Sequence, residues 1–403
     1  MLASLTALAI GLDVLLAVPG RHLQAEVTLP DRLAVGDPGE AVVTLRAPRA
    51  AGRTEVLLDL HPDLEPQPAA AVHVPGGEGA RLAIPLLARR RGKPTVDALW
   101  VRWTGPLGLT SRTRRVHLGR AVPVTPNLKP VRAAAFRYFA SQTVEVGAQV
   151  ERFLGDGSEF DALREYVPGL DPRAISWKAS ARHRELLVQE FRAERNHQVV
   201  LALDTGHLMA EPLDGIPRLD HAVSSALLLS YVSLRMGDRV GFYGFDRTAR
   251  AWAEPQGGLG AFPRLQALSA GLDYSTEETN FTLGLTELST RLRRRSLVVV
   301  FTDFVDTVTA ELMLENLGRL ARRQLVVFVT LRDPALDRLA LAGPRRLGEV
   351  YRSVVAADFV RERERVLARL RRMGIACVEA APGQLSARLV NRYLDIKRRE
   401  LIA

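Results

Sequence analysis

In the C-terminal half of the chain, short apolar runs alternate with stretches whose apolar residues have the spacing of helices. The runs at 199–203, 297–301 and 325–331 are apolar apart from Thr330, which is typical of parallel strands buried on both faces. Helical spacing lies between them, as at 310–323, where apolar residues recur every three or four positions. Strands that alternate with helices in this order predict a doubly wound α/β domain built on a parallel sheet.

Residues 24–125 have a different pattern, in which strand-like runs are separated by turn signals such as Gly36-Asp37-Pro38-Gly39. The runs lie at 41–45, 55–60, 81–87, 98–103 and 114–118. Short strands at this spacing predict a β-sandwich. Trp100 and Trp103 fall within one run, and we interpret them as core or sheet-face aromatic residues rather than as a ligand platform.

The N-terminal segment, residues 2–18, is apolar apart from Ser4, Thr6 and Asp13. At about 17 residues it is at the short limit for crossing a bilayer, and Asp13 would be costly in lipid without a partner. The segment has no basic n-region, so it does not match a secretory signal. We interpret it as a membrane anchor, with a buried or frayed helix as the alternative.

The formal net charge of the 403-residue chain is +10, but its arginines are spread along the whole length. Basic runs such as Arg293-Arg294-Arg295 contain no interleaved aromatic residue, which a stacking platform for nucleic acid requires. We therefore expect no nucleic acid as a partner. The one cysteine, Cys377, excludes an internal disulfide and a cysteine cage for a metal ion.

Candidate ligand residues follow the apolar runs, because ligands of open parallel sheets gather beyond the carboxyl ends of the strands. Asp204 ends the first run, and Asp303 follows the run at 297–301. The loop before the helix predicted at 282–294 contributes Thr279. Carboxylate and hydroxyl oxygens suit a hard cation such as Mg²⁺. The alternative is that both aspartates cap helices or hold loops.

Signatures of common enzyme classes are missing from the sequence. A dinucleotide site needs a glycine-rich turn after the first strand, where only Gly206 is found. No phosphate-binding loop occurs, and Ser180 and His183 lie outside any nucleophile elbow. The histidines have no paired spacing of the kind that holds zinc. We therefore predict no enzymatic activity.

The stretch 158–191 joins the two halves and is dense in charge, yet it carries regularly spaced apolar residues. Two segments within it, 166–173 (YVPGLDPR) and 175–182 (ISWKASAR), resemble the signature of the domain-of-unknown-function 58 family. The signature positions are Tyr166, Pro168, Gly169, Asp171, Arg173, Trp177, Lys178, Ser180 and Arg182. Further landmarks of the family are matched at 90–92, 105–109, 126–128 and 391–397, so the likeness extends over nearly the whole chain.

The resemblance implies a bacterial protein with a membrane-anchored N-terminus, a β-sandwich and a Rossmann-like domain similar to the von Willebrand factor type A fold. It implies no known catalytic activity. It also implies that the protein acts with a MoxR-type AAA+ ATPase in assembling or activating other proteins. The type A domain binds a cation through Asp-x-Ser-x-Ser, a threonine and a later aspartate, here matched by Asp204, Thr279 and Asp303. Gly206 and Leu208 stand where the two serines are expected, so the Mg²⁺ site is incomplete.

We predict four regions: a membrane-anchor helix at 1–20, a β-sandwich at 21–125, a connecting segment with the signature at 126–195, and the type A-like domain at 196–403. The predicted function is that of a non-enzymatic scaffold or adaptor at the cell membrane, with its soluble domains in the cytoplasm. Two alternatives stay open: a metal-dependent ligand-binding or hydrolytic protein that uses the two strand-end aspartates, and a nucleic-acid-binding protein.

The signature stretch is expected to fix the two domains against each other. We predict that Trp177 is buried there, and that Arg164, Arg173 or Arg182 pairs with carboxylates across the junction. The edge of the sheet that carries the candidate ligand residues is expected to face the ATPase or a client protein.

Overall fold

The computed structural model describes residues 2–127, 129, 133, 154–167, 175–183, 185–192, 197–305, 307–308, 310–343 and 346–399. The chain forms two compact units. The first unit contains Met1–Leu128 and Glu211–Ser224, and the second contains Lys129–Ala210 and Ser225–Ala403.

Helix α1 (Leu2–Leu16) begins the first unit and is followed by short strands. These strands are β1 (Gln24–Thr28), β2 (Leu33–Ala34), β3 (Pro38–Arg46), β4 (Gly52–Leu60), β5 (Ala70–Val74), β6 (Gly79–Leu87), β7 (Thr95–Thr104), β8 (Ser111–Ala121) and β9 (Val124–Thr125). Strands β1, β3 and β6 form one antiparallel sheet, and β5, β4, β7 and β8 form another. Burial alternates along β3 and β4, as it does in sheets that place one face in a core.

The two sheets share one hydrophobic core, which contains Val43 and Leu86 from one sheet and Leu99 and Trp103 from the other. Antiparallel sheets that enclose a common core form a β-sandwich, which is the architecture predicted for this region. The Trp103 indole also donates a hydrogen bond to the Val18 carbonyl, 3.0 Å away. Trp103 is therefore a packing residue, as the sequence indicated.

Asp13 of α1 is fully buried, and its carboxylate accepts hydrogen bonds from the turn between β7 and β8. The donors are the Leu107 N–H at 2.7 Å, the Leu109 N–H at 3.1 Å, and the N–H and hydroxyl of Thr110 at 2.7 and 2.6 Å. The Thr110 hydroxyl, helped by the three backbone donors, lowers the pKa of Asp13 against the effect of burial. The partner that the sequence required for Asp13 is therefore a turn of the β-sandwich.

Helix α1 exposes apolar side chains elsewhere on its surface, among them Leu8, Leu12 and Leu15. Among the described residues, none of the helices is both long enough and apolar enough to cross a membrane.

The second part of the chain begins with a pair of antiparallel strands, β10 (Leu154–Glu165) and β11 (Leu187–Arg192), with helix α2 (Trp177–His183) between them in sequence. The elements that follow are β12 (Gln198–Asp204), α3 (His207–Ala210), β13 (Pro212–Leu213), β14 (Ile216–Pro217), α4 (Arg218–Arg235), β15 (Arg239–Phe245), β16 (Ala249–Gln256), α5 (Phe262–Ala270), α6 (Phe281–Arg291), β17 (Leu297–Phe301), α7 (Glu311–Ala321), β18 (Leu325–Leu331), α8 (Pro334–Leu341), α9 (Leu347–Arg372), β19 (Ala376–Ala380) and α10 (Pro382–Arg398). The short strands β13 and β14 pair with each other.

The central sheet has the strand order β16-β15-β12-β17-β18-β19. Strands β15, β12, β17, β18 and β19 are parallel, which confirms the parallel core predicted from the apolar runs. Strand β16 is antiparallel to β15, whereas the sequence had indicated an irregular excursion there. Its polar composition and Pro255 fit an edge strand, because proline cannot donate to a sheet ladder and is tolerated at an edge. The sheet is therefore mixed rather than wholly parallel.

Helices α6, α7 and α9 cover one face of this sheet through a common core. Val200 of β12 lies in that core with Leu288 of α6, Leu317 of α7 and Leu367 of α9. Helix α10 lies along β18 and β19, with Leu389 among its buried residues. The layered α/β organisation predicted from the sequence is therefore present.

A buried ionic cluster attaches α10 to the start of β15. The Asp238 carboxylate accepts hydrogen bonds from the Tyr393 hydroxyl and from Lys397 Nζ, the latter at 2.8 Å. His197 Nδ1 lies 3.6 Å from the same carboxylate. Burial alone would raise the pKa of Asp238, but His197, Lys397 and Tyr393 outweigh burial and lower it. Asp238 therefore stays ionised inside the protein.

Candidate functional site

The carboxyl ends of β12 and β17 bring Asp204, Thr302 and Asp303 to one edge of the central sheet. The two strands are parallel neighbours, so the residues that follow them leave the sheet side by side. Thr279 reaches the same edge from the loop before α6, and its hydroxyl contacts Asp204 directly. Of the residues selected from the sequence, Asp204 and Thr279 are therefore bonded to each other.

Asp204 is buried, and its carboxylate accepts hydrogen bonds from three groups of the protein. The Thr279 hydroxyl at 2.6 Å and the Gly206 N–H at 2.8 Å donate to Oδ1, and the Thr302 hydroxyl donates to Oδ2 at 2.5 Å. Burial raises the pKa of Asp204 to about 6 although these hydrogen bonds oppose the rise, and the charge of Asp246 adds to it.

Gly206 permits the contact between Asp204 and Thr279. A Cβ atom at position 206 would lie 2.0 Å from Thr279 Oγ1 and 3.1 Å from Asp204 Oδ1. Such distances are too short for non-bonded atoms, so a serine at this position requires the threonine to move. The glycine that stands in place of the expected serine therefore belongs to a closed, hydrogen-bonded arrangement.

Asp303 is also buried, and its main partner is an arginine that the sequence did not single out. Arg363 of α9 donates from Nη1 to Asp303 Oδ1 at 2.8 Å. The Thr330 hydroxyl and the Phe304 N–H each donate to the same oxygen at 3.0 Å. The negative charge of Asp303 is therefore balanced within the protein.

These residues do not fit a bound divalent cation. The Thr279 hydroxyl donates to Asp204 Oδ1 at 2.6 Å, so these two candidate ligands are hydrogen-bonded to each other. Asp303 is paired with a guanidinium, and the side chain of Leu208 offers no oxygen. Within the described ranges, no group of three or more His, Cys, Asp or Glu side chains could hold a metal ion. We therefore derive no step that uses Mg²⁺.

A polar cleft of about 420 Å³ contains Asp246, beyond the end of β15. Arg250 Nε lies 2.8 Å from both carboxylate oxygens of Asp246, and the Thr205 hydroxyl lies 3.3 Å from one of them. Burial would raise the pKa of Asp246, but Arg250 and the Thr248 N–H outweigh burial and lower it. The buried carboxylate of this cleft therefore already has its partners.

The prediction that Trp177 is buried is wrong, because its side chain is 69% exposed. Trp177 is the first residue of the seven-residue helix α2. Ser180, three positions later, is the residue of α2 that is buried. Lys178 and Arg182 are exposed as well, and Tyr166 is half-buried. Apolar residues at regular intervals in the stretch 158–191 had indicated a packed face at Trp177, whereas helix α2 buries one small side chain.

Ser180 has a structural role in this segment. Its hydroxyl donates to the Ser176 carbonyl at 2.9 Å and accepts from the Leu187 N–H at 2.9 Å, which ties α2 to the start of β11. The other signature positions, Pro168, Gly169, Asp171 and Arg173, lie outside the described residues. The side chain of Arg164 is also outside them.

The sequence analysis missed Thr302, Thr330 and Arg363. Thr302 directly precedes Asp303, so a polar residue at the first position beyond a buried strand was an available signal. Arg363 lies in the run Arg361-Glu362-Arg363-Glu364-Arg365, which is typical of a solvated helix face. Nothing in that alternation distinguishes the one inward-facing arginine from its neighbours.

Comparison with solved structures gives partial likenesses of low identity. BatB from Bacteroides thetaiotaomicron has 14% identity and a TM-score of 0.29, and the match covers 50% of this chain and 99% of that one. An aerotolerance-related membrane protein from Bacteroides fragilis has 16% identity and a TM-score of 0.25, over 33% of this chain and 67% of that one.

A third likeness is to α2-macroglobulin from Escherichia coli, with 22% identity and a TM-score of 0.22. It covers 28% of this chain and 17% of the macroglobulin structure, so this chain spans about a sixth of that structure. TM-scores this low carry no argument about function.

No curated protein matches the chain. The model of one family, described as "Protein of unknown function DUF58", matches residues 162–370. The match begins in strand β10, includes the signature stretch and the central sheet up to β18, and ends near the C-terminus of α9. It covers just over half of the 403 residues, and so the chain belongs to the DUF58 family.

Proposed function

We propose that this protein is a non-enzymatic adaptor that acts with a MoxR-type AAA+ ATPase in the assembly or activation of other proteins. The observation that carries the proposal is an exposed apolar stripe on the first half of α9. The stripe consists of Leu347, Val350, Tyr351 and Val354. The ATPase as partner comes from the family resemblance, and the stripe supplies a surface for it.

The spacing of the stripe places its four residues on one face of the helix, because positions i, i+3, i+4 and i+7 are aligned in an α-helix. Leu347 is 88% exposed and Tyr351 is 74% exposed. The buried residues of α9 lie later in the helix, at Ala356, Val366, Leu367 and Leu370. The second half of α9 thus packs on the sheet, and the first half offers an apolar face of the kind that docks in a partner's groove.

The closed state of the sheet edge supports a role without catalysis. Asp204 and Asp303 are buried and paired, and Thr279 donates its hydroxyl hydrogen to Asp204. A general base or nucleophile must instead reach a substrate. This favours an adaptor over a metal-dependent ligand-binding or hydrolytic protein.

We also propose that the second unit is von Willebrand factor type A-like. The support is the strand order, in which the first strand of the parallel core, β12, lies at the centre and later strands lie on both sides of it. Such an order creates a topological switch point, where open α/β sheets present their binding edge.

The test is binding of the full chain to a purified MoxR-type ATPase from the same organism. The double variant Leu347→Glu and Tyr351→Glu is expected to weaken binding by about tenfold or more, because charged residues replace the two most exposed apolar residues of the stripe. Biolayer interferometry measures the affinity, and circular dichroism checks that the helices are retained.

Leu259→Glu is the matched control, because Leu259 is 48% exposed and lies outside α9. It is expected to bind the ATPase like the wild type. If the wild-type chain does not bind the ATPase, the proposed partnership is wrong. If the double variant binds with unchanged affinity, the stripe is not part of the interface.

Association with the cell membrane through α1 is the remaining part of the proposal. Leu8 and Leu15 are among the most exposed apolar residues of the chain and lie seven positions apart on α1. The full chain is expected to float with vesicles of phosphatidylcholine and phosphatidylglycerol, and Leu8→Glu with Leu15→Glu to reduce the floating fraction several-fold. Leu259→Glu again serves as the control, and a wild-type chain that stays unbound contradicts the idea.

A further inference from the structure

The guanidinium of Arg363 lies at the carboxyl ends of three neighbouring parallel strands. Asp303 follows β17, Thr330 and Leu331 end β18, and Glu379 belongs to β19. Arg363 reaches all three strands from α9, which is packed on one face of the sheet. One side chain therefore contacts the edge at which open α/β sheets gather their ligands.

Each donor group of this arginine has an oxygen partner. Nη1 donates to Asp303 Oδ1 at 2.8 Å, and Nε donates to Glu379 Oε1 at 2.8 Å. Nη2 donates to the Leu331 carbonyl at 2.6 Å and to the Thr330 hydroxyl. Charge-assisted hydrogen bonds from a planar fork are strong and directional, so the guanidinium is fixed in position.

The surroundings are largely shielded from solvent and contain two carboxylates. The side chains of Arg363, Asp303 and Glu379 are 16%, 7% and 14% exposed. The guanidinium also lies over the ring of Phe304, 5.0 Å from its centroid. Two carboxylates at low exposure need a cation, and the protein supplies one of its own.

We infer that Arg363 is a built-in cation: its guanidinium occupies an oxygen-lined site for a positive ion and holds α9 against β17, β18 and β19. The oxygens around it come from two carboxylates, one hydroxyl and one backbone carbonyl. This is the ligand chemistry of a hard divalent cation such as Ca²⁺. The inference is independent of any ATPase partner.

The inference has two consequences for cation binding. The wild-type chain has no need of an ion at this edge, and added Ca²⁺ leaves its melting temperature unchanged. Arg363→Ala vacates the space and removes the guanidinium that Asp303 and Glu379 share. This variant melts at a lower temperature, and Ca²⁺ restores part of the loss, because an ion that binds only the folded state stabilises it.

The test measures thermal unfolding of the full chain with and without Ca²⁺, together with calorimetric titration. Arg363→Ala is expected to bind Ca²⁺ with a dissociation constant of about 10⁻³ M or tighter, as weak oxygen-lined sites do. Methylguanidinium, which supplies the missing guanidinium group, is expected to raise the melting temperature of Arg363→Ala and of no other variant. Adding Asp303→Asn to Arg363→Ala removes the response to Ca²⁺.

Arg369→Ala is the matched control, because Arg369 lies on the same helix and its ion pair with Glu311 is about half exposed. It is expected to show no response to either cation. Arg363→Lys keeps the positive charge and the fold, so it provides a test if Arg363→Ala does not fold. We expect Arg363→Lys to melt at a lower temperature than the wild type and to show no change in melting temperature with Ca²⁺. A wild-type chain stabilised by Ca²⁺, an Arg363→Lys variant that gains a Ca²⁺ response, or an Arg363→Ala variant with wild-type stability overturns the inference.

Discussion

Gly206→Ser is expected to destabilise the protein by about 3 kcal/mol, through overpacking and loss of a hydrogen bond to a buried carboxylate. The added Cβ would lie 2.0 Å from Thr279 Oγ1, so Thr279 must withdraw from Asp204. A serine at this position matches the cation motif of the type A fold, yet we expect no gain of Mg²⁺ binding, because Asp303 stays paired with Arg363. Urea unfolding with and without millimolar Mg²⁺ measures both effects.

Gly260→Ser provides the comparison for this substitution. A Cβ at Gly260 meets no atom within 4 Å, so the serine should change the free energy of unfolding by less than about 0.5 kcal/mol. If Gly206→Ser proves as stable as Gly260→Ser, the closed arrangement around Asp204 is not the one described. If Mg²⁺ stabilises Gly206→Ser, the edge retains a metal site that needs only its serine.

The parts of the fold that could be predicted from the sequence are those with one strong periodicity. Residues 297–301 and 325–331 are apolar apart from Thr330, a composition typical of a strand buried on both faces. They became β17 and β18 with the same bounds. Strand β16 was missed because an edge strand with one solvated side has a polar sequence, and Pro255 lowers its strand signal further.

The sequence predicted the strand-end aspartates of the candidate site, but it did not predict the groups that balance or hydrogen-bond them. Position relative to a buried strand is a local property, and so Asp204 and Asp303 could be selected from the sequence. The partner of Asp303 is Arg363, 60 residues later, in a run of alternating charges. Which arginine of such a run turns inward depends on how α9 packs, and no local pattern carries that information.

The same limit explains the error at Trp177. Aromatic residues at regular spacing were taken to indicate a buried face, because large apolar side chains are mostly buried. In α2, which contains seven residues, Ser180 faces β11 and Trp177 lies in solvent. The free energy of burying an aromatic side chain is gained only where another element covers it, and that depends on tertiary structure.

Buried carboxylates lie at both ends of the central sheet, and each is hydrogen-bonded to other groups of the protein. At the carboxyl end, hydroxyls bond Asp204 and a guanidinium bonds Asp303. At the amino end, the Asp238 carboxylate accepts hydrogen bonds from Tyr393 and Lys397 of α10. The pair of Asp303 and Arg363 connects α9 to the sheet, and the cluster around Asp238 connects α10 to it.

Asp238→Asn is expected to lower the free energy of unfolding at neutral pH by about 3 kcal/mol, because it leaves the partly buried Lys397 ammonium without its counter-charge. The Lys397 ammonium loses its carboxylate at 2.8 Å, while the Tyr393 hydroxyl can still donate to the amide oxygen. Urea unfolding at pH 7 measures the loss. Asp395→Asn, on an exposed position of α10, is the matched control and should change stability by less than about 0.5 kcal/mol.

The pH dependence separates this ionic contribution from a general packing defect. The pKa of Asp238 is lowered in the folded protein from its ordinary value of 3.8, so its charge stabilises the fold above that value. The contribution is lost as pH falls through the lower folded pKa. The stability gap between wild type and Asp238→Asn should therefore narrow below pH 3.8, whereas a packing defect keeps the gap constant. Adding Lys397→Met to Asp238→Asn should recover part of the loss at neutral pH, because it removes the unpaired ammonium; no recovery would mean that the lysine is not the group that Asp238 holds.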